Sequence, residues 1–170
     1  MALPIPLVFG TVSFPLPVPL LLPLLPVCLM LHGQSRGDLE AEKVAARPVG
    51  VWDALTMVGF VALACVVGAF EAWSGRTTGL AMARDFAGYL GLALLMRRVG
   101  GPGAANIAVA LFPFACASFG MRPSGQPRSW AWPFHDPGSV PAALMAIVLF
   151  LAGLALSRHA PLIKRWGEEE

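Results

Sequence analysis

Charge is scarce in this chain. Asp, Glu, Lys and Arg make up 13% of its 170 residues, against about 25% in a soluble domain. The 12 basic and 10 acidic side chains also fall in a few clusters, with long uncharged stretches between them. So few charges, so distributed, cannot build a water-facing surface, which excludes an ordinary soluble domain. A net charge of +2 and a single tyrosine, Tyr89, give no basis for nucleic-acid binding. The three cysteines, Cys28, Cys65 and Cys116, lie far apart inside apolar runs, and there is no Cys-x-x-Cys. Neither a redox pair nor a zinc site is signalled, and these residues read as small apolar packing groups.

Catalytic signatures are missing as well. There is no Gly-x-Ser-x-Gly, no His-Glu-x-x-His and no Walker A sequence. Gly100, Gly101 and Gly103 lack the Lys and Ser/Thr of a phosphate loop and read as a tight turn. His32, His135 and His159 fall in three different loops. His135 and Asp136 are neighbours in sequence, which does not bring their side chains together on a metal. No catalytic, cofactor-binding or metal-ligating set is expected, and the chain is not expected to be an enzyme or to hydrolyse ATP itself.

Hydrophobic residues are abundant, at 56%. A membrane-crossing helix needs roughly 20 mostly apolar residues. Charge-free runs cover Met1–Gln34, Ala54–Phe70, Val99–Met121 and Pro137–Ser157, and Thr77–Met96 is interrupted only by Arg84 and Asp85. The expected fold is all-α: a polytopic transmembrane bundle of about five spans, near 8–31, 52–73, 78–96, 103–120 and 139–158. It forms one transmembrane domain over 1–170. The links carry turn or charge signals: Gly33–Arg47, Ser74-Gly75-Arg76, Arg97 to Gly103, and Arg122–Gly138.

Lys and Arg set the orientation. The side of the first loop receives Arg36, Lys43, Arg47, Arg97, Arg98, Arg158, Lys164 and Arg165. The other side receives only Arg76, Arg84, Arg122 and Arg128. The first side is therefore expected in the cytoplasm, with the C-terminus inside and the N-terminus outside. Trp130, Trp132 and Phe134 precede the last span, where aromatic rings favour the headgroup level.

The N-terminal run holds Pro4, Pro6, Pro15, Pro17, Pro19, Pro23 and Pro26. Each proline removes a donor and clashes with the preceding turn. Residues 15–19 are expected to be extended, with helix from Leu20 onward, kinked at Pro23 and Pro26. The run does not match a signal peptide, because no Lys or Arg precedes it. An outside N-terminus and a damaged first span lead to the expectation of a six-span parent topology whose first span is missing here.

Charges near membrane depth are the leading functional candidates. They are Asp53 and Glu71 at the ends of the second span, and Arg84 and Asp85 in the third. A Glu71–Arg84 pair across the tight hairpin would lower the cost of holding either charge near lipid. Snorkelling of each to the headgroups is the alternative. Asp53 can favour a helix start. Asn106, the strongly polar uncharged residue deep in the fourth span, suits interhelical hydrogen bonding. Small pairs at four-residue spacing suit close helix contact: Ala64 with Gly68, Ala87 with Gly91, and Ala142 with Ala146. Pro113 is expected to kink its helix. In the first loop, Asp38–Ala46 forms a short helix in one reading and a solvated connection in the other. As a helix, its Asp38, Leu39, Glu40 and Lys43 are candidate contacts for a cytoplasmic partner.

Several stretches together resemble a group of bacterial permease-like membrane proteins associated with ABC transporters. They are the proline-leucine run Pro15–Pro26, Leu39–Pro48 ending in Ala-Ala-Arg-Pro, and Arg84–Leu95 (Arg-Asp-Phe-Ala-Gly-Tyr-Leu-Gly-Leu-Ala-Leu-Leu). Arg97–Gly100 and Trp130-Ala-Trp-Pro133 before a final Ala/Leu span complete the likeness. The resemblance implies about six spans, no ATPase of its own, and a plasma-membrane subunit that works with a separate cytoplasmic ATPase. It also implies a coupling helix in the cytoplasmic loop, where Asp38–Ala46 lies. Two other classes compete with transport. One is a structural, self-associating or immunity-type membrane protein. The other is an ion-coupled carrier using Glu71, Arg84 and Asp85. Five short-linked spans enclose little interior, so homo-oligomers are expected within the bilayer.

Overall fold

The computed structural model describes residues 2–5, 14–17, 21–35, 49–122 and 124–157. Its core elements are helices: α1 (Leu24–Ser35), α2 (Val49–Trp73), α3 (Thr78–Phe119) and α4 (Val140–Ser157), with a one-turn 3-10 helix at Trp132–Phe134. A short antiparallel pair, β1 (Ala2–Ile5) and β2 (Phe14–Pro17), aligns Ala2 with Pro17 and Ile5 with Phe14. Prolines cannot propagate a helix, so the extended stretch falls where residues 14–17 alternate with proline.

Three helices are long and apolar enough to cross a membrane: Val51–Trp73, Thr78–Phe119 and Val140–Ser157. α1 is apolar but shorter; within the span expected at 8–31, residues 14–17 are extended and Leu24 onward is helical, as the prolines predict, and residues 8–13 and 18–20 lie outside the described residues. The most apolar stretch of α2 is only 11% buried within the protein. Val51, Leu55, Leu63, Val66 and Phe70 all point outward. In water, a contiguous apolar surface of this size would aggregate. In hydrocarbon it needs no cover.

α2 ends in a Schellman motif. The Arg76 N–H donates to the Glu71 carbonyl at 2.9 Å, and the Gly75 N–H to Ala72 at 3.0 Å. Gly75 sits at φ 84°, where only glycine is unstrained. This cap reverses the chain within a few residues and starts α3 at Thr78.

At 42 residues, α3 is too long to be one straight span, since roughly 63 Å of helix would overrun a hydrocarbon core of about 30 Å. It folds back on itself. The rings of Tyr89 and Phe112 lie 6.3 Å apart, whereas a straight helix would separate them by roughly 34 Å. The reversal is at Gly101, whose φ 79° and ψ −176° are accessible essentially to glycine alone. Pro102 then restarts the helix at a position where its missing N–H costs nothing. The spans expected at 78–96 and 103–120 are therefore the two arms of one broken helix. Pro113 keeps helical dihedrals, and Gly101 is the residue that departs from them.

The two arms and α4 share a core of Tyr89, Leu90, Ala93, Leu94, Ala105, Val109, Ala146 and Phe150. Small residues let the backbones approach. An added Cβ on Gly91 would lie 2.5 Å from the Leu149 carbonyl carbon, and one on Gly153 would lie 2.7 Å from the Gly91 oxygen. Ala142, Ala146, Phe150 and Gly153 form the buried stripe of α4. On the α2 side, a Cβ on Gly68 would lie 2.7 Å from the Gly79 carbonyl oxygen. At the turn end of the first arm, Arg98 donates from Nη1 to the Leu156 carbonyl at 2.6 Å. That bond satisfies a terminal carbonyl of α4 with a cation, the sign that a helix C-terminus favours.

Candidate functional site

Arg84 and Asp85, adjacent on the first arm of α3, are the buried charged residues among those described, at 7% and 2% exposure. Arg84 Nε donates to Asp85 Oδ1 at 3.1 Å. The rest of the guanidinium is spent on the loop before α4. Nη1 donates to the Asp136 carbonyl at 2.9 Å and to that of His135 at 3.3 Å. Nη2 donates to the Pro133 and His135 carbonyls, each at 3.3 Å. The planar donor fork of arginine suits such a cluster of acceptors, and a lysine could not satisfy it. The side chain therefore clasps the exit of the 3-10 helix to the membrane arm.

The same loop drives Trp132 into the bundle. Its ring stacks on Phe112 at 4.4 Å and 24°, and tilts against Tyr89 at 6.1 Å. Gly88 makes room for it, since an added Cβ there would lie 2.6 Å from Trp132 Nε1. Trp132 is 2% exposed, so it is a core residue and not the headgroup anchor expected from its place beside Trp130 and Phe134, which are half-buried. The His135 ring meets the Arg128 carbonyl at 3.2 Å through Nε2.

Glu71 does not pair with Arg84. Its carboxylate instead lies over Gly79 in the first turn of α3, where an added Cβ would lie 2.5 Å from Glu71 Oε2. A negative charge there is favoured by the unsatisfied N–H groups of the helix start. The same carboxylate sits at the end of an open groove of about 380 Å³. α1 contributes Pro26, with Leu22 and Pro23 just before it. α2 supplies Phe60, Leu63, Ala64 and Val67, and α3 supplies Met82 and Phe86. Glu71 is the one charged side chain among the described residues of its lining. Sequence reading singled out Glu71 but not the groove, which needs three helices to be placed before it exists.

The remaining candidates are dispersed. Asp53 lies half-buried a full turn inside α2, which starts at Val49, so it is not the helix's first residue. Asn106 lies near the start of the second arm of α3, with Oδ1 buried and no hydrogen-bond partner among the described residues. Asp38, Leu39, Glu40 and Lys43 lie outside the described residues.

No protein-family model matches the chain, and neither a curated protein nor a solved structure does.

Proposed function

We propose that this chain is a permease-like subunit of an ABC-type transporter in a bacterial cell membrane, working with a separate ATPase. The observation that carries the reading is the groove between α1, α2 and α3. It is apolar and open, lies between the short apolar α1 and two helices long and apolar enough to cross a membrane, and carries one carboxylate among its described lining residues. Such a groove admits a hydrophobic molecule sideways from the bilayer, a step that a permease for apolar cargo requires. The reading takes five crossings: the proline-rich N-terminal segment with α1, then α2, the two arms of α3, and α4. The excess of Lys and Arg on the side of the first loop supports an outside N-terminus and a cytoplasmic C-terminus. The ATPase contact falls on Asp38, Leu39, Glu40 and Lys43.

The test is expression of the tagged chain with its neighbouring genes, mild solubilisation, and identification of what co-purifies. The expected result is a stoichiometric ATPase that is lost when Leu39, Glu40 and Lys43 are changed to Ala. A chain that purifies only with itself would overturn the reading in favour of a self-associating structural or immunity-type protein.

A further inference from the structure

We infer that the groove ending at Glu71 binds a cationic amphiphile, an alkyl chain carrying an ammonium head, which enters from the bilayer. The inference deepens the transport reading by assigning its cargo class, and it rests on that reading for the cargo role alone. Binding itself needs only this chain.

Four features of the groove select this chemistry. Its described lining is hydrocarbon and aromatic apart from Glu71. From Phe60 to Glu71, α2 rises roughly 17 Å, close to the roughly 15 Å of one hydrocarbon leaflet. A single chain of about a dozen carbons therefore reaches along the groove with its head at the carboxylate. The volume, about 380 Å³, lies at the low end of the roughly 300–1,000 Å³ of small-molecule sites, and so suits one chain better than two. Charge decides the head. Glu71 offers acceptors and a negative charge, and among the described residues no Lys or Arg lines the groove to receive a phosphate or sulfate. A phospholipid would present its phosphate to a carboxylate, so the fit is to an ammonium without a neighbouring anion.

The test is photolabelling of the purified chain in phosphatidylcholine nanodiscs. The probe is a primary alkylammonium of about 12 carbons with a diazirine at the tail end. Non-photoreactive ammonium, sulfate and uncharged maltoside amphiphiles of equal chain length compete against it. Saturable labelling is expected on the groove residues Phe60, Leu63, Ala64, Val67, Met82 and Phe86. The ammonium should compete at about ten-fold lower concentration than the other two, the scale of one hydrogen bond to a charged group. Glu71→Gln should erase that preference, and Ala64→Phe, which fills the groove, should abolish labelling. Equal competition by all three in the unmodified chain would overturn the inference without reliance on any variant. So would preference retained in Glu71→Gln, labelling spread over the outward-facing Val66 and Phe70, or cross-links only between two copies. Because no ATPase is present, failure to co-purify an ATPase leaves this result standing, and failure here leaves the ATPase result standing.

Discussion

Arg84→Leu is expected to destabilise the bundle by about 3–5 kcal/mol, the usual cost of removing one partner from a buried ion pair. The substitution strands the Asp85 carboxylate at 2% exposure. It also removes the donors held by the Pro133, His135 and Asp136 carbonyls. Water can reach the part-buried His135 and Asp136 carbonyls, but the Pro133 carbonyl is buried with its donor and is left without one. The loss should show in unfolding by SDS in mixed micelles, read by helicity. Arg84→Leu combined with Asp85→Leu should recover part of it, because the double change leaves no unpaired charge. The recovery stays incomplete, since the Pro133 carbonyl still lacks a donor. Arg84→Lys should fall between, because an ammonium keeps the charge but cannot reach the same acceptors as a planar fork.

Gly91→Leu should cost about 3 kcal/mol, the upper part of the range for overpacking a tight contact. No rotamer escapes the clash, because the atoms met first are backbone atoms of Leu149 and Phe150 on α4. The helices must separate, which pulls Phe150 and Ala146 from a core shared with Tyr89 and Leu90. Gly59→Ala supplies the control. Gly59 lies mid-helix in α2 with open space around its Cα, so alanine there should be neutral or stabilising by about 1 kcal/mol. If both changes gave the same midpoint in the same unfolding assay, the close approach of the first arm of α3 to α4 would be wrong.

Much of the fold was legible because membrane helices are written in composition. The uncharged runs around 54–70 and 137–157 become α2 and α4 nearly at the expected bounds. Gly100-Gly101-Pro102 is readable as a reversal, since only glycine takes the backbone seen at Gly101 and proline restarts a helix cheaply. The small pairs Ala142–Ala146 and Ala87–Gly91 do lie on buried faces.

Partner choice was not legible. Nothing in sequence says that Arg84 turns to Asp85 and to a loop 49 to 52 residues away, and not to Glu71 across the hairpin. Local spacing favours the hairpin pair. The tertiary fold brings a row of loop carbonyls that outbids it, while the start of α3 satisfies Glu71. Trp132 misled for a related reason. An aromatic residue just before a span normally rests at the headgroups, but the pocket that receives this ring is opened by Gly88, 44 residues earlier. The prolines of the first run were legible: they predict the extended stretch seen at Phe14–Pro17 and the helix that follows it.

The most direct test of the account is sidedness. With Cys28, Cys65 and Cys116 changed to Ala, single cysteines at the exposed Ser74, Gly103 and Ser124 report the end of α2, the break in α3 and the loop before α4. A membrane-impermeant maleimide on intact cells should label Ser74→Cys and Ser124→Cys, and should reach Gly103→Cys only after permeabilisation. Labelling of Gly103→Cys from the same side as Ser74→Cys would contradict the account, because the two arms of α3 would then not cross the bilayer.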